Sequence, residues 1–115
     1  MAFGKGKTMI DVHQFVEVLE DKKALDIKVL NFKGVSVFFD YFVICTAQNP
    51  RQIQALIDGV EEAATSLGMS VRAIEGKPDS GWVIVDLFDY VIHIFSESQR
   101  AFYQLDKLWL GLEEA

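Results

Sequence analysis

Asp86, Asp89 and His93 lie close together in the chain, with Trp82 just ahead of them and Glu97 just behind. Two carboxylates and an imidazole are a donor set for a divalent metal, or an acid–base pair for work on a nucleotide. An indole flanked by hydrogen-bonding groups is equally the make-up of a protein-binding hot spot. The choice between these depends on which side chains share a surface.

The segment that carries them reads as an antiparallel hairpin. Trp82–Leu87 (WVIVDL) and Tyr90–Phe95 (YVIHIF) are two apolar runs joined by a very short link around Phe88-Asp89, too short for a parallel crossover. Side chains alternate between the faces of a strand. A connection of two or four residues then places Asp86 opposite Val91, Ile84 opposite His93 and Trp82 opposite Phe95. One face carries Val83, Val85, Leu87, Tyr90, Ile92 and Ile94, all suited to a core. The other carries Trp82, Ile84, Asp86, Val91, His93 and Phe95. A three-residue connection would break this grouping, and Phe88-Asp89 lacks the glycine that tight hairpin turns favour.

Three readings of the second face stand side by side. It is covered by a helix, with Asp86 and His93 as satisfied structural groups. It is a protein-binding surface anchored by Trp82, a residue type enriched at interfaces. Or it is a catalytic or metal site using Asp86, Asp89, His93 and Glu97. Against the last, Asp86 and Asp89 sit at the two ends of a turn and only His93 shares a face with Asp86, whereas a metal needs three or four converging ligands.

Elsewhere the chemistry is sparser. Cys45 stands inside the apolar run Phe42–Thr46 and reads as a small buried hydrophobe rather than a nucleophile. As the one cysteine of the chain it excludes an intramolecular disulfide and a cysteine-based zinc site, and it fits a reducing cytoplasm. The GKGK stretch of residues 4–7 lacks the strand and helix that frame a phosphate-binding loop. His13 reads as solvated on a helix. Arg51-Gln52 opens another helix, where a cation opposes the helix dipole; it is either a solvated pair or a binding contact.

The elements that must hold these residues follow from periodicity and punctuation. Met9–Asp21 is a first helix, capped by Thr8 or Asp11, with Ile10, Phe15, Val18 and Leu19 inward. Asp26–Phe32 is a strand, residues 34–39 a turn or link, and Tyr41–Ala47 a strand whose continuous hydrophobicity means burial on both faces. Asn49-Pro50 starts a second helix, with a stripe of Ile53, Leu56, Ile57, Val60, Ala63, Ala64 and Leu67 and a stop at Gly68. Val71–Glu75 is a third strand, followed by the loop Gly76–Gly81. Ser96 caps a final helix, with Gln99 in capping-box position and Ala101, Phe102, Leu105, Leu108 and Trp109 on its inner face. The predicted fold is an α/β single domain over residues 9–110, with a mixed sheet of about five strands flanked by helices. Short tails cover residues 1–8 and 111–115.

The chain has 115 residues, half of them apolar and 24% charged, enough to bury about two-thirds of its unfolded surface around one core. Its net charge of −6 is unsuited to gripping a phosphate backbone. A ribonucleoprotein would be met through a basic protein surface, with no direct nucleic-acid readout. No apolar run is long enough for a membrane span. Residues 1–8 lead into no apolar signal core and are too few for a transit peptide, so a cytoplasmic location is expected.

The run Asp40-Tyr41-Phe42-Val43-Ile44-Cys45-Thr46, then Arg51-Gln52-Ile53, Glu75-Gly76, Gly81-Trp82, Val85-Asp86-Leu87 with Asp89 and Val91-Ile92-His93-Ile94-Phe95, and finally Phe102-Tyr103 with Leu105 and Lys107-Leu108-Trp109, together resemble the ribosomal silencing factor (iojap) family. Each motif is short; their order and spacing are specific, and they span nearly the whole chain. The resemblance implies a fold related to nucleotidyltransferases without their catalysis, no cofactor and no metal. It also implies a translational repressor that binds the large ribosomal subunit at the ribosomal protein numbered fourteen on the intersubunit face. There it would block joining of the small subunit and lower translation. The interface positions carried over are Trp82, Asp86, Asp89 and His93, and a homodimer of the free protein through Trp82 is a further expectation. The chain departs from the family at Asn49-Pro50, where small residues are usual, and at Phe88, where glycine is usual. The Gly-Ser and paired-aspartate signature of nucleotidyltransferases is absent, so kinship of fold does not argue activity. The alternative is a small metal-dependent nucleotide-processing enzyme using Asp86, Asp89 and His93.

Overall fold

The structure, a computed structural model, describes residues 11–107. The first helix, α1, spans Val12–Asp21. It starts later than the apolar spacing predicts because Asp11 is extended: its carboxylate accepts the His13 N–H while the Gln14 side chain returns to the Asp11 N–H at 2.9 Å. This reciprocal cap satisfies two donors that would otherwise be orphaned at the helix start. Met9 and Ile10 lie outside the described residues.

Strands β1 (Leu25–Asn31) and β2 (Tyr41–Ala47) follow, then helix α2 (Pro50–Ser66). Asn49 caps α2 by accepting the Gln52 N–H at 2.8 Å, Pro50 takes the first turn, and Gly68 leaves the helix at φ +75°. Strand β3 is Ala73–Glu75, shorter than the predicted Val71–Glu75. Arg72 adds one ladder bond to the Asp86 carbonyl at 2.8 Å, and Val71 packs against the core instead. Strands β4 (Trp82–Asp86) and β5 (Tyr90–Ser96) complete the sheet, and α3 is Glu97–Tyr103.

The five strands lie in the order β1-β2-β5-β4-β3. β2 and β5 are parallel and the remaining pairs antiparallel, which is the predicted mixed sheet. The larger core fills the face beneath α1 and α2: Phe15, Leu19, Ile53, Leu56 and Val60 meet Val43, Cys45, Val83, Val85, Ile92 and Ile94. A second cluster on the opposite face joins Leu30, Phe32, Phe42, Ile44, Phe95 and Leu105. β2 is therefore buried on both sides, as its unbroken hydrophobicity requires.

The final helix differs from its prediction. α3 buries no residue, and Ala101 and Phe102, expected inward, face solvent. Gln104 adopts a left-handed conformation (φ 49°) that ends the helix, and Leu105 enters the second cluster from a 3-10 turn over Leu105–Lys107. The reversal replaces the continuous inner stripe assumed for the helix; Leu108 and Trp109 lie outside the described residues.

Candidate functional site

The β4–β5 hairpin adopts the register that the two-residue connection predicts: Trp82 opposite Phe95, Ile84 opposite His93 and Asp86 opposite Val91. Val83, Val85, Leu87, Tyr90, Ile92 and Ile94 are all buried in the main core. The connection is closed by the Leu87 N–H on the Tyr90 carbonyl (2.8 Å) and the Asp89 N–H on the Leu87 carbonyl (3.0 Å). Phe88 performs the turn at φ +73°, a conformation that strains a residue with a side chain.

Trp82 stands at the start of β4, half-buried. Gly76, at φ +88°, lets the preceding loop approach so closely that a Cβ there would lie 2.3 Å from the Trp82 carbonyl oxygen. The indole stacks on Phe95 (centroids 4.9 Å, 26°) and packs against Tyr103 of α3 at 4.6 Å. Its Nε1–H donates to His93 Nδ1 at 3.2 Å. An indole nitrogen only donates, so Nδ1 carries the lone pair and the ring proton of His93 sits on Nε2. His93 is 5% exposed, and its Nε2 has no hydrogen-bond partner among the described residues. Burial pushes its pKa down to about 4, so the ring is neutral at physiological pH. Phe42 from β2 closes on it at 4.6 Å.

Asp86 is held differently. One carboxylate oxygen meets Arg72 Nη1 at 2.8 Å, and the other accepts the Phe88 N–H at 2.9 Å. Asp89 is exposed at the turn, at the far end of the hairpin from Trp82, and its carbonyl accepts the Asp40 and Tyr41 N–H groups at 2.7 and 3.1 Å. The structure thus brings Trp82 and His93 together, places Asp86 further along the same face with its own partners, and sets Asp89 apart. Among the described residues, no group of three His, Cys, Asp or Glu side chains is arranged to hold a metal ion. Of the three readings of this face, the covering helix is realised in part: Tyr103 and Leu105 lie over one end of it.

Cys45 is wholly buried, and burial pushes its thiol up to about 12, so it is inert as a nucleophile at neutral pH. Gln52 is a clamp: its amide NH₂ donates to the Lys22 and Lys23 carbonyls (3.2 and 2.9 Å), and its oxygen accepts the Gln48 N–H at 2.6 Å. Arg51 and His13 are exposed, His13 against Asp11 at 2.9 Å. Sequence reasoning missed two neighbours of the site. Arg72 pairs with Asp86 only because β3 lies antiparallel to β4, and the intervening loop hides that register. Tyr103 stood inside a recognised motif without an assigned partner.

The chain is similar to known proteins. Residues 7–115 match the family described as ribosomal silencing factor during starvation. It is 40% identical to the ribosomal silencing factor RsfS of Bacillus subtilis, over 78% of this chain and 76% of that protein. It is 38% identical to the RsfS of Halalkalibacterium halodurans, over 82% of this chain and 80% of that one. A crystal structure from Bacillus halodurans superposes with a TM-score of 0.76 at 37% identity, covering 85% of this chain and 91% of that one.

Proposed function

The chain belongs to the ribosomal silencing factor family, and on that premise we propose that it is a cytoplasmic, non-enzymatic repressor of translation. It binds the large ribosomal subunit on the intersubunit face, at the ribosomal protein numbered fourteen, and keeps the small subunit from joining. The mechanism is occlusion, which needs surface complementarity and no bond chemistry. The observation that carries the reading is the state of Trp82: a half-buried indole with an accessible edge, fixed by ring stacking and by its bond to His93, at one end of a sheet face. A large aromatic group held in one orientation loses little entropy on docking, which is the character of an interface anchor. His93 sets its direction, and Asp89, exposed at the far turn, adds acidity suited to a basic ribosomal protein, while Asp86 is paired with Arg72.

Co-sedimentation tests this. The protein should travel with free large subunits, not with joined ribosomes, and should reduce the joined fraction when added to separated subunits. Trp82→Ala should weaken binding roughly 30- to 1,000-fold, corresponding to about 2–4 kcal/mol. Trp82→Phe, which keeps a ring between Phe95 and Tyr103, serves as the folded control. Equal binding to joined ribosomes, or wild-type affinity in a folded Trp82→Ala variant, would overturn the reading.

A further inference from the structure

The end of the hairpin away from Trp82 carries a second surface. Between β1 and β2 the chain makes an excursion whose base is firmly closed. Phe32 N–H donates to the Asp40 carbonyl at 2.6 Å, Val35 and Ser36 N–H groups turn back onto the Phe32 carbonyl, and the Phe39 ring stacks on Phe42 at 4.6 Å. Its tip is apolar and projects outward: Val37 is 92% exposed and Phe38 83%. Val35 is exposed too, as is Phe88 on the neighbouring turn, which the Asp40 N–H joins to this loop through the Asp89 carbonyl. Four exposed apolar side chains at one end of a chain this small mark an interaction site rather than scattered surface residues.

The rim is acidic. Asp40 follows the tip and Asp89 follows Phe88, their backbones joined by the Asp40 N–H on the Asp89 carbonyl, which sets two carboxylates at this end; burial first, then the charges of Asp11, Asp89 and Asp40, hold the Tyr90 phenol above its usual range. Among the described residues here, Arg72 is paired with Asp86 at 2.8 Å, and Lys33 lies over the Tyr41 ring at 5.5 Å. Such a rim repels phosphate and, in a symmetric pair, would face its own like charges.

We infer that the Val37–Phe38 tip and the Phe88 turn form a second docking surface, which fits an apolar pocket flanked by lysine or arginine side chains on a basic protein of the large subunit. This rests on the function proposed above and gives the protein two separated points of contact, one at each end of the β4–β5 hairpin. Two contacts fix an orientation that one anchor leaves free, and occlusion depends on orientation.

The test measures binding of purified large subunits to wild type and to Val37→Ser/Phe38→Ser, with melting temperature and self-association read on the same samples. The expected result is affinity lowered at least about tenfold, or about 1.4 kcal/mol, at unchanged melting temperature. Val37→Lys alone, at an almost fully exposed side chain, keeps the test readable if the double variant is unfolded, and should weaken binding at least as much, because it sets a cation against the basic flanks of the pocket. Unchanged affinity in folded variants, while wild type binds, overturns this inference and leaves the Trp82 reading standing. Loss of self-association without loss of subunit binding overturns it in favour of a second copy as occupant. Failure of wild type itself to bind removes both.

Discussion

Acid should weaken this fold through His93 before it titrates most of the carboxylates. Unfolded, the imidazole takes a proton near its ordinary pKa of 6.5; folded, burial holds it to about 4. Between those values the unfolded chain binds the proton and the folded one does not, so stability falls as pH drops. The difference between 6.5 and about 4 corresponds to about 3 kcal/mol at most. From pH 7 to pH 5 the loss is about 2 kcal/mol, which is about 8 °C of melting temperature for a domain of this size. Protonation also turns Nδ1 from acceptor to donor and breaks the bond to the Trp82 indole. The assay is urea or thermal unfolding at pH 7, 6, 5 and 4.5, for wild type and His93→Gln. Wild type should lose stability across this window, and His93→Gln should lose markedly less. Equal pH slopes in the two proteins would refute the assignment of the loss to His93.

Two further outcomes follow from local geometry. Cys45→Ser places a hydroxyl in an apolar, solvent-free site and should cost about 1–3 kcal/mol, with subunit binding intact in the folded protein; loss of binding there would return Cys45 to a functional role. Phe88→Gly exchanges left-handed strain of about 1–2 kcal/mol for the greater chain entropy of glycine, about 0.5–1 kcal/mol. It should raise the melting temperature slightly; a clear drop would mean that the Arg72 contact to the Phe88 ring, 5.9 Å from guanidinium to centroid, outweighs the strain.

The hairpin register was legible because its two faces differ so sharply in character that a one-residue slip would bury Asp86 and expose Val85. α2 was legible because three independent signals agree: the Asn49 cap, the apolar stripe and Gly68. The failures have physical causes. The pattern Ala101, Phe102, Leu105 has helical spacing, but Gln104 turns left-handed and sends Leu105 into the second cluster on its own. Grouping Asp86 with His93 as polar neighbours was right about the face. It could not show that Asp86 is already committed to Arg72, a contact set by tertiary pairing. Asp89 entered the candidate site through the family resemblance, and the structure sets it at the far end of the hairpin from Trp82. Arg51-Gln52 read as a solvated pair or a binding contact; the clamp role of Gln52 was hidden because its partners, the carbonyls just past α1, are distant in the chain.

The parallel pairing of β2 with β5 has a kinetic consequence. Tyr41 lies beside Tyr90 and Ala47 beside Ser96, so the centre of the sheet forms only after residues 48–89 have been made and brought round. The hairpin of β4 and β5 closes over a two-residue turn and is available early; the β2–β5 seam needs a long loop closure before any of its contacts reward it. On the ribosome, β2 emerges with both faces apolar and waits for its partner strand throughout that interval. Slow refolding that is insensitive to prolyl isomerase, and aggregation of nascent chains truncated before residue 90, are the signatures of a strand kept waiting.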